Sequence, residues 1–190
     1  SSAMGSYAPQ TPCALCAARH PLCICPAPRS LKYPRRKEVP PIDFCHIPVS
    51  IIKRSEGRSA VAAAAYRSGT KLTNEWDGLT HDYTRKGGVV HAEIMLPAHA
   101  PPEFADRSTL WNSVEQIEKA RDSQLAREIE AALPRELSGE QQLALVRAYV
   151  KDNFVDKGMC ADFAIHDKGT GNPHVHIMLT LRPLKENGQW

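Results

Sequence analysis

No run of apolar residues in this 190-residue chain approaches the roughly 18 that a helix needs to cross a bilayer. A secretory signal is not expected either, because Arg19-His20-Pro21 interrupts the only mildly apolar stretch near the start. No segment repeats, so nothing points to a solenoid or a propeller. Cysteine is scarce where a disulfide framework would need it. Four of the six (Cys13, Cys16, Cys23 and Cys25) crowd into the first residues, leaving Cys45 and Cys160. That usage argues against a disulfide-stapled secreted scaffold and for a reducing compartment, the cytoplasm. Cys13-x-x-Cys16 with Cys23-x-Cys25 has zinc-ligand residue types, but its six-residue spacer is short for a ribbon or finger. Free thiols in an irregular leader are the simpler reading.

Charge of one sign is also lacking in the body of the chain. The formal net charge is +3, from 24 Lys/Arg and 21 Asp/Glu. Six of the bases and one acid fall in residues 1–41, so residues 42–190 carry 18 bases against 20 acids and are net −2. Any nucleic-acid surface must come from local clustering. One cluster exists: Lys53, Arg54, Arg58, Arg67, Lys71, Arg85 and Lys86, against Glu56, Glu75, Asp77 and Asp82. An ordinary mixed surface would look similar.

Nine of the fifteen prolines lie at or before Pro48, which marks residues 1–41 as an irregular leader, with Ser1 to Ser6 resembling a tag remnant. The domain is expected over residues 42–190, long enough for one sizeable core. Residues 44–52 read as a strand, with Pro48 indicating an edge or a bulge. Residues 59–69 read as a helix: Ser59 caps it, alanines carry it and Gly69 fits the left-handed C′ position. Asp77-Gly78 signals a hairpin within residues 71–83, and residues 89–96 read as a strand closed by Pro97.

Phe104, Leu110, Trp111, Val114 and Ile117 give a helical stripe over residues 103–119. Residues 126–133 suit either helix or strand; the short length and Pro134 favour a strand, on which Glu128 and Glu130 share a face. Ser138 with Gln141 forms a capping box for a helix running to about residue 157, stopped by Gly158. Residues 161–166 and 173–179 complete the pattern β-α-β-β-α-β-α-β-β. This is an α+β architecture, an antiparallel sheet with helices on its surface.

The most informative stretch is His174-Val175-His176, which follows His166 and a turn rich in Gly169, Gly171 and Pro173. Residues two apart on a strand point to one face, so the two imidazoles stand together while Val175 and Ile177 point away. If the flanking strands pair antiparallel, His166 comes within roughly 5 Å of that pair. Three neutral imidazoles can hold one divalent cation with its charge undiminished. Imidazole suits zinc, manganese, iron, nickel and copper, so the residues do not choose the metal. Tyr66, near the end of a slim Ala-rich helix, is either a packing side chain or one that reaches out. With a metal and basic residues it points to phosphoryl transfer, in which a phenolate attacks a phosphodiester.

Ile51-Ile52-Lys53-Arg54-Ser55 through Ser59-Ala60-Val61-Ala62-Ala63-Ala64-Ala65-Tyr66-Arg67-Ser68-Gly69 resembles the N-terminal motif of the MobA/MobL (MobQ-type) plasmid mobilisation relaxases. His81-Asp82-Tyr83-Thr84-Arg85-Lys86-Gly87-Gly88-Val89 and Glu128-Ile129-Glu130-Ala131-Ala132-Leu133-Pro134 resemble its middle segments. Ile165-His166-Asp167 with Asn172-Pro173-His174-Val175-His176 resembles its His-hydrophobic-His motif. The likeness runs over roughly residues 44–183.

That resemblance implies an HUH-type endonuclease with a five-stranded antiparallel sheet and a central His strand. The enzyme would nick one strand at an origin of transfer and keep a covalent 5′-phosphotyrosyl link through Tyr66. It implies Mg²⁺ or Mn²⁺ on His166, His174 and His176, and acids at Glu128 and Glu130, one to orient the metal or accept the tyrosine proton. Lys53, Arg54, Arg58, Arg67, Arg85 and Lys86 would contact phosphates of a hairpin and single strand. Relaxosome accessory proteins and a coupling protein are the implied partners.

The leader has no counterpart in the family pattern, and many relatives continue past the position of Trp190, as expected for an excised nicking domain. His46, His81, His91 and His99 are expected to be structural or on the surface, and Tyr83 is the rival nucleophile. Two other readings remain. A rolling-circle replication initiator shares this chemistry, but there the tyrosine generally follows the His motif, whereas Tyr66 precedes it. A zinc-stabilised DNA-binding module would use the three His structurally.

Overall fold

The computed structural model describes residues 47–169 and 171–190. The leader with its four cysteines, the domain start at Ile42, and Phe44, Cys45 and His46 lie outside the described residues.

Among the described residues seven strands and three helices follow in order: β1 Val49–Lys53, α1 Ala60–Ser68, β2 Lys71–Thr73, β3 Thr80–Asp82, β4 Val89–Met95, α2 Arg107–Ile117, β5 Gln124–Ala132, α3 Gly139–Asn153, β6 Ala161–His166 and β7 His174–Leu179. Five strands form one sheet in the order β1-β5-β7-β6-β4, antiparallel throughout. β2 and β3 form a separate two-stranded hairpin. The expected α+β architecture is present, with the His strand β7 at the centre. β1 lies at an edge, where the Pro48 carbonyl still accepts from Glu130 N–H at 3.1 Å. Among the described residues no helix is long and apolar enough to cross a membrane.

Alternation along β7 divides the core. Val175, Ile177 and Leu179 join Ile129, Phe163, Val146 and Val150 on the α3 face. Met178 joins Ala60, Ala64, Leu110 and Trp111 on the α1–α2 face. The alanines make α1 slim enough to lie close on the sheet, with Ala60, Ala64 and Ala65 fully buried. Both ends of this helix are fixed. Ser59 Oγ accepts from Ala62 N–H at 3.2 Å. Gly69 ends the helix at φ +66°, where an added Cβ would lie 3.2 Å from Val89 Cγ2. A third tie comes from α2: the buried Glu115 accepts from Ala60 N–H at 2.7 Å and from Arg54 Nη2 at 2.8 Å.

Two helices differ from expectation at their ends. The stripe over residues 103–119 is broken at Asp106, which is extended (φ −81°, ψ 123°) and caps α2 by accepting from Thr109 N–H at 2.8 Å. Phe104 therefore sits in a separate 3₁₀ turn, Pro102–Ala105, and Ile117 is exposed. α3 begins with both bonds of the Ser138–Gln141 capping box but ends at Asn153; Val155–Lys157 is a 3₁₀ turn closed by Gly158 at φ +88°. The ambiguous segment around residue 128 is a strand, two residues longer at its start than expected.

Candidate metal and nucleophile site

β6 and β7 pair so that His166 lies opposite His174, and Ala164 opposite His176. All three imidazoles emerge on the α1 face. Ring centroids are 5.4 Å apart for His166–His174, 4.8 Å for His166–His176 and 5.2 Å for His174–His176. One nitrogen from each ring falls within 4.8 Å of the others. One ring nitrogen of His166 and one of His174 have main-chain partners. His166 Nε2 donates to the Arg67 carbonyl at 2.7 Å, and His174 Nδ1 donates to the Asn172 carbonyl at 2.9 Å. A carbonyl can only accept, so each bond fixes the tautomer and leaves the other ring nitrogen with its lone pair. His176 Nδ1 is buried and stands 3.4 Å from Glu128 Oε1, facing the charge without a formed hydrogen bond. Burial pushes His166 down to about 4, helped by the nearby Lys86 charge, so its ring is neutral at pH 7. Three converging imidazoles, two of them tied to main-chain carbonyls, are a donor set suited to a divalent metal ion.

β5 supplies the acids. Glu130 lies opposite His176 and Glu128 opposite Met178, both on the imidazole face as expected. They differ in environment. Glu130 is half exposed and 3.8 Å from His176 Nδ1. Glu128 is buried and held by Arg67 through Nε and Nη2, with Arg58 Nη2 at 3.5 Å and Ser50 Oγ at 3.3 Å. Burial raises the Glu128 carboxyl, but the facing His176 and the Arg67 guanidinium outweigh it and hold the group at about 2.

Tyr66 occupies the last turn of α1 and is 48% exposed, so it is the side chain that reaches out rather than one that packs inside. It lines a cleft of about 300 Å³ together with Lys86, Lys168 and all three His. Lys86 Nζ lies 3.7 Å from the centroid of the Tyr66 ring and donates to the Tyr66 carbonyl at 2.8 Å. Burial lowers this lysine to about 8, with Arg67 and Lys168 adding repulsion. Tyr83 meets the Tyr66 ring edge-on, centroids 5.2 Å apart. A larger cleft, about 590 Å³, lies against α3 around Leu143 and Ile165 and contains none of the three His.

The basic residues divide. Lys86 is in the cleft and Arg85 is exposed beside it. Lys53 is paired with Glu56 at 3.8 Å, and Arg58 bonds the Ile51 carbonyl at 3.2 Å as well as facing Glu128. Arg54 is turned inward: Nη1 and Nη2 bond Glu115 and the carbonyls of Glu115, Glu118 and Ala120, and the guanidinium stacks 4.1 Å over Trp76. Arg67 is likewise spent on Glu128 and the Ala63 carbonyl. His91 bonds Glu93 and His99 bonds the Leu184 carbonyl, while neither they nor His81 join the triad. Lys168 was not among the expected site residues, although its place in the turn between His166 and His174 is visible in the sequence.

The chain is 49% identical over 155 residues to the conjugal transfer protein TraA of Agrobacterium fabrum, covering 76% of this chain and 14% of that protein. It is 40% identical over 168 residues to the mobilization protein MobL of Acidithiobacillus ferridurans, covering 75% and 44% respectively. It therefore spans less than half the length of these relatives. A solved structure, described as "Molecular Basis of Vancomycin Resistance Transfer in Staphylococcus aureus", superposes with a TM-score of 0.72 at 32% identity, covering 76% of this chain and 74% of the other. The sequence profile of the MobA/MobL family matches residues 58–190, and the chain belongs to that family.

Proposed function

We propose that residues 42–190, following an irregular leader, form a relaxase nicking domain that cleaves one strand at a plasmid origin of transfer. The observation that carries this reading is the shared cleft: an exposed tyrosine and three convergent imidazoles line the same 300 Å³ space. Tyr66 Oη would attack the scissile phosphorus, forming a P–O bond as the bond to the 3′ oxygen breaks. The 3′ oxygen leaves as a hydroxyl and the 5′ end stays on the tyrosine. One phosphoester replaces another, so the strand can be resealed.

His166, His174 and His176 would hold Mg²⁺ or Mn²⁺, which when bound polarises a phosphate oxygen. Glu128 serves as orienter of His176, because its lone pairs are occupied by Arg67, Arg58 and Ser50 and a carboxyl held at about 2 is a poor proton acceptor. Glu130, the freer acid, is the better candidate to receive the phenolic proton. Lys86 fixes the Tyr66 ring, and with Arg85, Lys53 and Arg58 it supplies positive charge for a hairpin and single strand. Action in the cytoplasm with relaxosome accessory proteins and a coupling protein belongs to the same proposal.

The test is incubation of the purified protein with single-stranded origin oligonucleotides and Mn²⁺. A stable protein–DNA adduct is expected, lost in Tyr66→Phe with oligonucleotide binding retained, and present in Tyr83→Phe. Adducts that persist in Tyr66→Phe and vanish in Tyr83→Phe contradict the assignment.

A further inference from the structure

Arg67 stands beside Tyr66 in a basic stretch, yet the fold turns it inward, with its side chain 14% exposed. Nε and Nη2 both donate to Glu128 Oε1, and Nη1 donates to the Ala63 carbonyl at 3.0 Å. The same residue's main-chain carbonyl accepts from His166 Nε2 at 2.7 Å. Glu128 Oε1 in turn faces His176 Nδ1 at 3.4 Å. One residue therefore reaches two of the three imidazoles, one through its backbone and the other through a carboxylate that it orients.

We infer that Arg67 is a positioning residue, a brace that locks the end of α1, and with it Tyr66, to His166 through its main-chain carbonyl and to His176 through Glu128, and that it does not contact DNA. The inference rests on the proposed reading of the triad as a metal site and Tyr66 as the attacking group. A guanidinium presents a rigid fork, so Nε and Nη2 together hold the carboxylate in one orientation; an ammonium at this point would supply charge without that orientation. Partners of a ligating imidazole's outer nitrogen set its tautomer and basicity, and losing them typically lowers metal affinity about 10–100-fold. Loss of the Arg67 guanidinium leaves Glu128 Oε1 without a donor to fix it opposite His176, while Arg58 and Ser50 still reach Oε2. A direct phosphate contact would behave differently. Its removal would lower the log–log salt slope of single-strand binding by about 0.7.

The experiment measures Mn²⁺ affinity by calorimetry on metal-stripped protein, and oligonucleotide affinity against salt, for wild type, Arg67→Gln, Arg67→Lys, Glu128→Gln and the Arg67→Gln/Glu128→Gln double variant. Glu128→Gln, which alters the group facing His176, is expected to weaken Mn²⁺ binding by about 10–100-fold, Arg67→Gln to weaken it measurably but by less because Glu128 remains, and Arg67→Lys to recover part of that loss. The double variant should bind no more weakly than Glu128→Gln alone, with the salt slope unchanged in every variant. Wild-type Mn²⁺ affinity in Arg67→Gln, additive losses in the double variant, or a salt slope reduced by about 0.7 would each overturn the brace. If Arg67→Gln does not fold, Arg67→Lys decides: weakened Mn²⁺ binding supports the brace and undiminished binding overturns it. Normal adducts at Tyr66 with unchanged Mn²⁺ affinity remove the brace alone. A Mn²⁺ defect in Arg67→Gln, with adducts persisting in Tyr66→Phe, keeps the brace to the imidazoles and removes the nucleophile reading.

Discussion

Replacing Glu115 by alanine strikes the helix that carries Tyr66 at its opposite end. The Glu115 side chain is 2% exposed; it caps α1 through the Ala60 N–H and pairs with Arg54, itself 14% exposed. Breaking a buried pair by removing one partner costs about 3–5 kcal/mol. The lower end applies here, because Arg54 keeps the carbonyls of Glu115, Glu118 and Ala120 and its stack on Trp76. The orphaned Ala60 N–H adds about 1 kcal/mol, for a total near 4 kcal/mol, a large share of the roughly 5–15 kcal/mol available to a domain. At roughly 2–4 °C per kcal/mol for a domain of this size, Glu115→Ala should melt some 8–16 °C below wild type by circular dichroism. Glu115→Gln keeps an acceptor for Ala60 N–H but also ends the charge pair with Arg54, so it should lose about 3 kcal/mol and melt above the alanine variant. An alanine variant melting within about 2 °C of wild type, or a Gln variant as damaged as the Ala one, would refute the reasoning.

Metal stripping offers a second check: Mn²⁺ at about 100 times its Kd should stabilise the wild type by about 2.7 kcal/mol, visible as a melting shift of roughly 5–11 °C. His174→Ala should show little of that shift, and an undiminished shift in this variant would place the ion elsewhere. Lys86 supplies a pH test. Its folded value, about 8, lies below the ordinary lysine value of 10.5, so the folded state releases this proton first and stability gains from the group as pH rises from about 8 to 10.5. Around its folded value of about 8 the cleft loses a positive charge, so oligonucleotide affinity should weaken between about pH 7 and 9 in wild type and not in Lys86→Arg; parallel pH profiles would remove Lys86 from the DNA surface.

The His174–His176 pair and the shared face of Glu128 and Glu130 were legible because each rests on a local period of two, which survives whatever the helices do; the approach of His166 followed from antiparallel pairing across a short turn, and the central place of the His strand from the family resemblance. The ends of α1 were legible for a similar reason: Ser59 and Gly69 act on backbone groups a few residues away. The break at Asp106 was hidden by an apolar period that runs through it from Phe104 to Leu110, although the Asp-x-x-Thr cap is present. Glu115 carried no local signal, since its partners Ala60 and Arg54 are far away in sequence. Arg54 and Arg67 looked free for phosphate because the acids that occupy them come from α2 and β5. Charge in a basic stretch is visible in sequence; the remote carboxylate that consumes it is not.

The central claim is chemical, that Tyr66 becomes esterified to DNA, and peptide mapping of the adduct tests it most directly. After nuclease trimming and trypsin, a nucleotide remnant linked through phosphate should lie on Tyr66, in the peptide of residues 59–67 that ends at Arg67. A remnant on Tyr83, in the separate peptide of residues 72–85, or on any other side chain, would contradict the account.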